Sequence, residues 1–289
     1  GLMNRIVLGG AQLGLPYGIL NGGETLSREE VARILDTAFG HGIDSIDTAI
    51  AYGQSESIIG ETAQNRFKVI SKLPPIPSSV SNVSEWVHTQ VDASLSRLKC
   101  TSLDALLLHR PQDLTGIHGA ELYDAISSLK IEKIIHRFGV SIYEPDELAD
   151  IIGKFDIDVV QAPFNVFDRR ILGVIDQLAA LNIELHVRSV FLQGVLIAGP
   201  AGRPQRFEPW SEHFALFDEW VHSTGMSAMS CCLGFALQQP AVAKLVIGAT
   251  SAESLAEIIA SVPSAHVDVP AHLQSSIEKL IDPRVWSVA

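Results

Sequence analysis

Eight short apolar segments recur along the chain, and each is followed by a segment with helical periodicity. The apolar segments are NRIVLGG, GIDSIDTA, FKVISKL, LDALLLH, IIHRFGVS, DIDVVQAP, IELHVRSV and AKLVIGAT. They are nearly continuous in Val, Ile and Leu instead of alternating with polar residues, which is typical of parallel strands covered by helices. Eight successive strand–helix units predict an α/β fold of the (β/α)8 TIM barrel type.

The helical segments and the longer connections give further expectations. The first helical segment opens with Ser27 and Glu30, at the spacing of a capping box. Three regions are longer than a simple barrel needs: the turn at 74–79, the Gly/Pro-rich loop at 197–210, and the tail after about residue 262. In this tail the sequence AHLQSSIEKLI predicts one extra helix.

Composition limits the class of protein. No repeat or linker divides the 289 residues, so we interpret residues 1–289 as one domain. The net charge of −12 argues against nucleic acid, whose phosphates are bound by clustered Lys and Arg. No apolar run approaches the ~20 residues of a membrane helix. Cys100, Cys231 and Cys232 form neither a disulfide framework nor a metal-ligand spacing. We therefore expect a cytoplasmic protein without a metal, as a monomer or weak homo-oligomer.

Polar side chains stand at the ends of three neighbouring predicted strands. Asp47 ends the second strand, Lys72 the third and His109 the fourth, with Tyr52 in the loop after the second. In a (β/α)8 barrel the active site lies at the C-terminal ends of the strands. Each residue taken singly has an ordinary structural explanation, such as a cap or a solvated strand end. Their joint occurrence on successive strand ends predicts a catalytic site.

These four side-chain types suit proton donation by a phenol. A free tyrosine has a pKa of ~10 and is a poor acid at neutral pH. An ammonium ~4 Å away, at an effective dielectric constant of ~20, favours a phenolate by roughly 4 kcal/mol before competing terms. We expect Asp47 to hold Lys72 charged and aimed, and His109 to orient or polarise a carbonyl oxygen. Because no nucleophile is required, we expect a cofactor to supply the electrons.

The sequence around these residues resembles the aldo-keto reductase family. The matching segments are DTAIAYGQSESIIGE, SKL, SLSRLKCTSLDALLLHRP, FGVS, VVQAPFN, RSVFLQGVL and VIGATSAESLAEI, in the family's order over about residues 5–262. The resemblance implies a (β/α)8 barrel that transfers hydride between NAD(P)H and an aldehyde or ketone. It places Asp47, Tyr52, Lys72 and His109 at the family's four catalytic positions, with Tyr52 as the proton donor.

The resemblance also implies a set of cofactor-binding residues. Ser141 and Gln161 fall where the family bonds the nicotinamide carboxamide, and Arg188 falls where a tyrosine usually stacks under the nicotinamide. The residues expected at the pyrophosphate and the adenosine phosphate are Ser189, Phe191, Leu192, Gln193, Gly248, Ala249, Thr250, Ser251 and Ser254. The last five lie at the start of a predicted helix, whose dipole favours anions.

Three positions depart from the family's pattern. Ile142 replaces the asparagine that usually follows the serine, Ser254 replaces the usual arginine for a 2′-phosphate, and Ile258 replaces the adenine-facing asparagine. The family resemblance implies NADPH, with NADH as the alternative. We predict that the chain discriminates only weakly between the two.

A small-molecule carbonyl compound is the expected substrate, and its pocket is expected to be walled by Tyr17, Phe164 and Trp210. Further candidates are Trp86 for the wall, although core packing suits it better, and Arg110, Arg203 and Arg206 for an anionic substrate group.

Two other functions remain open at this stage. Lys72 could be the Schiff-base nucleophile of an aldolase-type lyase, which needs a lysine uncharged near neutral pH. Asp47 argues against this, because it would keep the lysine protonated. Alternatively, the chain could bind the cofactor as a redox-sensing regulatory subunit with little turnover, although the sequence offers no exposed apolar helix as a partner surface.

Overall fold

Eight parallel strands close into a barrel in the order in which they occur along the chain. The structure is a computed structural model and describes residues 1–16 and 25–286. The strands are β1 (Ile6–Gly9), β2 (Ser45–Asp47), β3 (Lys68–Leu73), β4 (Leu103–Leu108), β5 (Ile135–Ser141), β6 (Val159–Pro163), β7 (Glu184–Arg188) and β8 (Val242–Ile247). The predicted (β/α)8 TIM barrel is confirmed, and each apolar segment forms one strand.

Helices cover the outside of the barrel. The α-helices are α1 (Ala11–Gly14), α2 (Arg28–Gly40), α3 (Ser55–Thr62), α4 (Val83–Leu98), α5 (Gly119–Ile131), α6 (Ile175–Ala180), α7 (Ser211–Thr224), α8 (Ala228–Leu237), α9 (Ala252–Ala260) and α10 (Glu278–Ile281). Short 3-10 helices span Leu2–Arg5, Pro111–Leu114, Pro145–Leu148, Arg170–Val174, Val195–Ile197, Pro200–Gly202, Gln205–Trp210, Ala271–Leu273 and Pro283–Val285. The connection from β5 to β6 therefore carries a 3-10 helix where the sequence predicted an α-helix.

The N-terminus of α2 forms only half of the predicted capping box. The hydroxyl of Ser27 accepts a hydrogen bond from the backbone N–H of Glu30 at 3.1 Å, as expected for a cap. The Glu30 carboxylate does not return to Ser27. It accepts instead from the backbone N–H of Ala252 at 2.9 Å and from Arg33 at 2.8 Å. Glu30 thereby links α2 to the first turn of α9.

The tail after residue 262 corrects the prediction of one extra helix. The segment AHLQSSIEKLI forms the 3-10 helix Ala271–Leu273 and the single turn α10, separated by an irregular stretch. In that stretch the Ser275 backbone N–H donates to the carbonyl of Phe167 at 2.8 Å, and Ile277 N–H donates to the Ser275 hydroxyl at 3.1 Å. A serine hydroxyl and a barrel loop thus take hydrogen bonds that a helix would need.

The apolar core has two separate parts. The larger part lies between the strands and the helices, whereas a small cluster consists of Ile70, Ala105, Leu107 and Val159. Successive side chains on a strand point to opposite faces, and the larger core contains their strand neighbours Val69, Leu106, Leu108 and Val160. The small cluster therefore fills the inside of the barrel.

A buried carboxylate fixes the helix that follows the Tyr52 loop. Glu56 on α3 is 2% exposed and accepts hydrogen bonds from the hydroxyls of Ser71 on β3, at 2.7 Å, and of Ser94 on α4. The Arg97 guanidinium donates to it twice, at 2.9 and 2.7 Å. Because a buried carboxylate is stable only when it is paired and hydrogen-bonded, this network ties α3 to β3 and α4.

Gly139 on β5 is a site at which we predict a large loss of stability. A Cβ atom there would lie 2.0 Å from the carbonyl oxygen of Val159 on β6. We expect Gly139→Ala to lower the free energy of unfolding by about 3 kcal/mol or more, because the overpacked backbone has to move. Urea denaturation measures this.

Gly173→Ala is the matched control, since a Cβ at Gly173 meets nothing within 4 Å. We expect it to change the stability by less than ~0.5 kcal/mol. Equal effects of the two substitutions would contradict the argument from close strand packing.

Candidate active site

Four polar side chains meet at the C-terminal end of the barrel. The Lys72 ammonium donates to the Asp47 carboxylate and to the carbonyl oxygen of Thr48, the latter at 2.9 Å. Its Nζ lies 5.1 Å from the ring centroid of Tyr52. The centroids of the Tyr52 and His109 rings are 5.6 Å apart. The structure thus brings together the four side chains that the sequence singled out as catalytic.

Lys72 is held as a charged group in the protein interior. It is 1% exposed, and burial by itself acts to lower the pKa of this lysine. The Asp47 carboxylate and the Tyr52 phenol act in the opposite direction and leave the Lys72 pKa raised above its usual value. A lysine that is buried and protonated at neutral pH is unsuited to Schiff-base formation, which argues against the aldolase alternative.

Asp47 uses its second carboxylate oxygen to orient an amide. Gln161 on β6 donates its side-chain N–H to Asp47 Oδ2 at 2.6 Å. Because the amide nitrogen is committed to a carboxylate, the Gln161 carbonyl oxygen is the atom left to accept a hydrogen bond from a ligand. The backbone oxygen of Asp47 accepts from Gly10 N–H at 2.6 Å, so strands on both sides fix this residue.

His109 is a neutral imidazole at physiological pH. Burial lowers its pKa from 6.5 to about 4, and the positive charge of Lys72 acts in the same direction. A neutral ring can donate a hydrogen bond from one nitrogen and accept at the other. His109 therefore suits the orientation of a carbonyl oxygen, as predicted, without adding a second positive charge beside Lys72.

The loop that carries Tyr52 is fastened to the first βα connection. The Ser55 hydroxyl donates to the carbonyl of Gly10 at 2.7 Å and lies 2.7 Å from the Thr48 hydroxyl. The Ser55 backbone N–H donates to the carbonyl of Tyr52 at 3.0 Å. A Cβ on Gly14 would lie 2.0 Å from the Ser55 nitrogen, so the two loops touch through their backbones. These contacts fix the position of the loop that carries the Tyr52 ring.

A cavity of about 510 Å³ opens beside these residues. This volume is typical of small-molecule and cofactor sites. Thirteen of the site residues singled out in the sequence line it: Asp47, Tyr52, His109, Ser141, Gln161, Arg188, Ser189, Phe191, Gln193, Gly248, Ala249, Thr250 and Ser254.

Three of the singled-out residues lie behind the cavity wall. Lys72 is buried beside Asp47 and Tyr52, which themselves line the cavity. Leu192 is fully buried in the apolar core. Ser251 is the N-cap of α9, and its hydroxyl accepts from the Ser254 backbone N–H at 2.9 Å. Leu192 and Ser251 therefore support the loop and the helix, and their placing at the cofactor stays a prediction.

The structure does not bring the predicted substrate aromatics to the cavity. The Phe164 ring is 1% exposed and packs against Phe235 of α8, with the ring centroids 4.7 Å apart. Trp210 ends a 3-10 helix and packs against the core. Phe164 is placed in the core, because the loop after β6 turns its ring towards α8, whereas the assignment of Trp210 to the pocket wall stays a prediction. Tyr17 lies outside the described residues.

The other substrate candidates also lie away from the cavity. Arg203 pairs with Asp218 at 2.7 Å, and Arg110 is 60% exposed, 3.5 Å from Asp113. Arg206 is exposed, and Trp86 packs against the core from α4, as expected.

Tyr143, which packs against the predicted Arg188, is a part of the wall that the sequence did not reveal. The Arg188 guanidinium donates to the carbonyl of Ile142 at 2.9 Å, and its Cζ lies 4.5 Å from the Tyr143 ring centroid. Arg284 of the C-terminal tail lies 4.2 Å from the same centroid and pairs with Asp282 at 2.7 Å. No sequence signal marks Tyr143, because its neighbours come from two distant segments.

The loop after β7 has an unusual backbone. Ser189, Leu192 and Gln193 adopt φ angles of 58°, 50° and 58°, and Gly194 follows with 86°. The left-handed region costs an L-residue about 1–2 kcal/mol, so three such non-glycine residues within five positions store strain. Such strain clusters at ligand-binding sites. Ser189, Gln193 and Gly194 line the cavity, where this backbone shapes its wall.

His186 on β7 is a second buried imidazole, which sequence reasoning missed. It is fully buried in the barrel and pairs in register with Gln161. Neither ring nitrogen makes a hydrogen bond within the described part of the chain. Its Nε2 lies 3.4 Å from the Glu184 carboxylate, which is already bonded by Arg137. Burial lowers the His186 pKa to about 4.

The fold agrees with comparisons to known proteins. Residues 5–269 match the model of the Aldo/keto reductase family. Because this match covers most of the chain, the protein belongs to the aldo-keto reductase family.

Individual relatives are distant. The chain is 28% identical over 254 residues to the uncharacterized oxidoreductase YqkF of Bacillus subtilis (strain 168), covering 80% of this chain and 82% of the relative. It is 31% identical over 156 residues to the D-arabinose 1-dehydrogenase of Saccharomyces cerevisiae, covering 50% and 44% of the two chains. The holo form of an aldo-keto reductase from Bacillus halodurans superposes with a TM-score of 0.76 at 19% identity, covering 91% and 88%.

Residues 1–16 and 25–286 contain neither a candidate membrane span nor a candidate metal cluster. No helix there combines the length and the apolar character that crossing a bilayer requires. No three His, Cys, Asp or Glu side chains in those ranges are grouped to hold a metal ion.

The Asp47–Lys72 ion pair predicts a specific pattern of stabilities. Asp47→Asn keeps the shape but leaves a buried ammonium without its counter-charge, and we expect it to lower the free energy of unfolding by about 3–5 kcal/mol. Lys72→Met removes the ammonium. The double variant should be more stable than the sum of the two single effects implies, by ~1–3 kcal/mol. Urea denaturation at pH 7 measures all four proteins, and additive effects would contradict a coupled buried pair.

The two buried imidazoles predict sensitivity to acid. The pKa values of His109 and His186 lie at about 4 in the folded chain, below the usual 6.5. Above pH 6.5 both states hold neutral rings and stability is full. As the pH falls below 6.5, only the unfolded state takes up protons, and stability is lost until about pH 4. Each histidine contributes a slope of up to ~1.4 kcal/mol per pH unit.

Urea denaturation between pH 7 and pH 4 tests this through His186→Leu. The substitution removes one titrating ring, so we expect a shallower loss of stability in acid. His272→Leu is the control, because His272 is exposed. The same pH slope in both variants would show that His186 takes no part.

Proposed function

We propose that this protein is an NAD(P)H-dependent reductase that transfers hydride from reduced nicotinamide to an aldehyde or ketone. Tyr52 is the general acid, assisted by Lys72, Asp47 and His109. The observation that carries the proposal is the buried, protonated Lys72, held by Asp47 and placed beside the Tyr52 ring at the cavity wall. Membership of the aldo-keto reductase family supports the same reaction class.

The protein's own side chains supply the proton and control its charge. Tyr52 donates its hydroxyl proton to the carbonyl oxygen, and the Lys72 ammonium stabilises the phenolate that remains. Asp47 balances the lysine charge, so that the site is not left with a bare cation in the interior. The neutral His109 orients the carbonyl oxygen by a hydrogen bond. A positioned acid of this kind contributes about 10²–10⁴-fold to the rate.

The cavity wall fits a nicotinamide coenzyme, which supplies the hydride when bound. The Gln161 carbonyl oxygen, fixed by the bond of its amide to Asp47, suits the N–H groups of a carboxamide. Ser141 would bond the same group, and Arg188 would lie against the nicotinamide ring. The strained loop at 189–194 would cross the pyrophosphate.

The adenosine phosphate would lie against Gly248, Ala249, Thr250 and Ser254, which line the same cavity. Family resemblance favours NADPH, with NADH as the alternative, since Ser254 and Ile258 replace the residues typical of NADPH binding. The substrate remains a small-molecule carbonyl compound of unspecified class. A cytoplasmic location and a monomeric or weakly oligomeric state stay predictions.

Loss of the phenol should abolish turnover. We expect Tyr52→Phe to lower kcat by about 10²–10⁴-fold, because the variant lacks the proton donor. Coenzyme affinity should change by less than about twofold, since only the hydroxyl is removed. The measurement is loss of reduced-nicotinamide absorbance with a panel of activated aromatic aldehydes, using NADPH and NADH in parallel.

Tyr123→Phe is the matched control, because Tyr123 lies on α5 and packs against Phe138 and Phe155, not in the cavity wall. Full activity of Tyr52→Phe would contradict the assignment of the acid. Coenzyme binding by the wild type without turnover of any aldehyde would favour the regulatory subunit, the alternative that remains.

A further inference from the structure

The helix α9 forms part of the cavity wall at its first turns. Thr250, just before the helix, and Ser254 and Ile258 within it line the cavity. Helix N-termini commonly bind phosphate, because their first backbone N–H groups lack partners inside the helix. Whether these N–H groups are available decides which coenzyme phosphates this wall accepts.

Most of the first backbone N–H groups at α9 are already committed to groups of the protein. Those of Thr250 and Ser251 donate to the Ser254 hydroxyl at 3.3 and 3.1 Å. That of Ser254 donates to the Ser251 hydroxyl at 2.9 Å. The Ala252 N–H donates to the Glu30 carboxylate at 2.9 Å. An acidic side chain from α2 thus takes up a position at which this helix would otherwise attract an anion.

Glu30 is fixed in this place by the surrounding charges. Its second oxygen accepts from Arg33 at 2.8 Å, and Arg33 also pairs with Glu253 on the first turn of α9. The Glu30 side chain is 19% exposed. Because one guanidinium faces two carboxylates, the group carries a net negative charge, and within residues 1–16 and 25–286 no second cation pairs with either carboxylate.

Among its described residues the cavity wall offers no free positive charge to a phosphate on the adenosine. Among its described lining residues the only lysine or arginine is Arg188, whose guanidinium is bonded to Ile142 and packed on Tyr143. The undescribed residues 17–24 and 287–289 contain neither lysine nor arginine. Local charge at this wall is therefore unfavourable to a further anionic group.

We propose that Glu30 is a specificity-determining residue that makes the protein prefer NADH to NADPH. The inference rests on the proposed function and replaces the weak discrimination predicted from the sequence with a preference for NADH. A 2′-phosphate carries about −1.5 to −2 charges near neutral pH, whereas the 2′-hydroxyl of NADH carries none. Like charges placed together across a binding surface are strongly unfavourable. The Glu30 carboxylate lies outside the cavity lining, on the Ala252 N–H two residues before the cavity-lining Ser254, and repels the phosphate from there.

Dissociation constants of NADH and NADPH test the proposal without relying on turnover. Coenzyme fluorescence or calorimetry gives the two constants for wild type, Glu30→Gln and Glu29→Gln. We expect wild type to bind NADH at least about tenfold more tightly than NADPH. Glu30→Gln keeps an oxygen for the Ala252 N–H but removes the charge. It should tighten NADPH binding about fivefold or more, with NADH within about twofold.

Glu29→Gln is the matched control, since Glu29 is the exposed neighbour on α2 and the change in net charge is identical. Its ratio of the NADPH dissociation constant to the NADH dissociation constant should equal that of wild type. Ionic strength gives a second test on wild type alone: raising salt from ~0.02 to ~0.5 M should reduce the ratio, because it screens the repulsion.

The outcomes distinguish the role of Glu30 from the reductase function. NADPH binding as tight as NADH, or a ratio unchanged in Glu30→Gln, overturns the role of Glu30 and leaves the reductase proposal intact. Binding of neither coenzyme overturns both. A ratio that falls in Glu30→Gln and with salt, but not in Glu29→Gln, supports the assignment.

Discussion

The ion pair between Lys72 and Asp47 is the interaction on which the site depends. An ammonium that is 1% exposed is stable only with a counter-charge and hydrogen-bond acceptors, and Asp47 and the Thr48 carbonyl provide both. Asp47 in turn orients Gln161 and accepts from Gly10 through its backbone. One carboxylate therefore sets the charge of the lysine and the orientation of an amide on the far side of the barrel.

The closed barrel makes such an arrangement possible. Asp47 and Lys72 stand on adjacent parallel strands, so their side chains meet without distortion of the backbone. Below them, the cluster of Ile70, Ala105, Leu107 and Val159 fills the interior and keeps water from the pair. Outside the barrel, the Glu56 network holds α3 and limits the movement of the Tyr52 loop. Packing and hydrogen bonding thus preorganise the acid before any ligand arrives.

Sequence reasoning predicted what periodicity and strand ends determine. The eight apolar segments gave the strands, and their polar termini gave Asp47, Lys72 and His109. It failed where a contact joins distant segments. Phe164 is an aromatic loop residue whose direction depends on Phe235 of α8, and nothing local reveals it. The same holds for Glu30, whose spacing from Ser27 suggested a local cap although its partner is Ala252.

The tail shows a further limit of prediction from local sequence. Helical periodicity in AHLQSSIEKLI was real, but Ser275 and the barrel loop at Phe167 compete for the backbone hydrogen bonds. Tyr143 could not be assigned to the wall, because Arg188 and Arg284 reach it from positions far along the chain. Long-range packing, and not local preference, decided these cases.

The circular order of the strands has a consequence for how the chain folds during synthesis. β2 and β3 are neighbours both along the chain and in the barrel, whereas the second neighbour of β1 is β8, at Val242–Ile247. Until the ribosome has released those residues, both edges of the growing sheet remain unpaired and able to bind other strands. During the same period the charged pair on β2 and β3 is exposed to water, because the barrel around it is incomplete. Closure of the barrel thus removes the unpaired sheet edges and excludes water from the site.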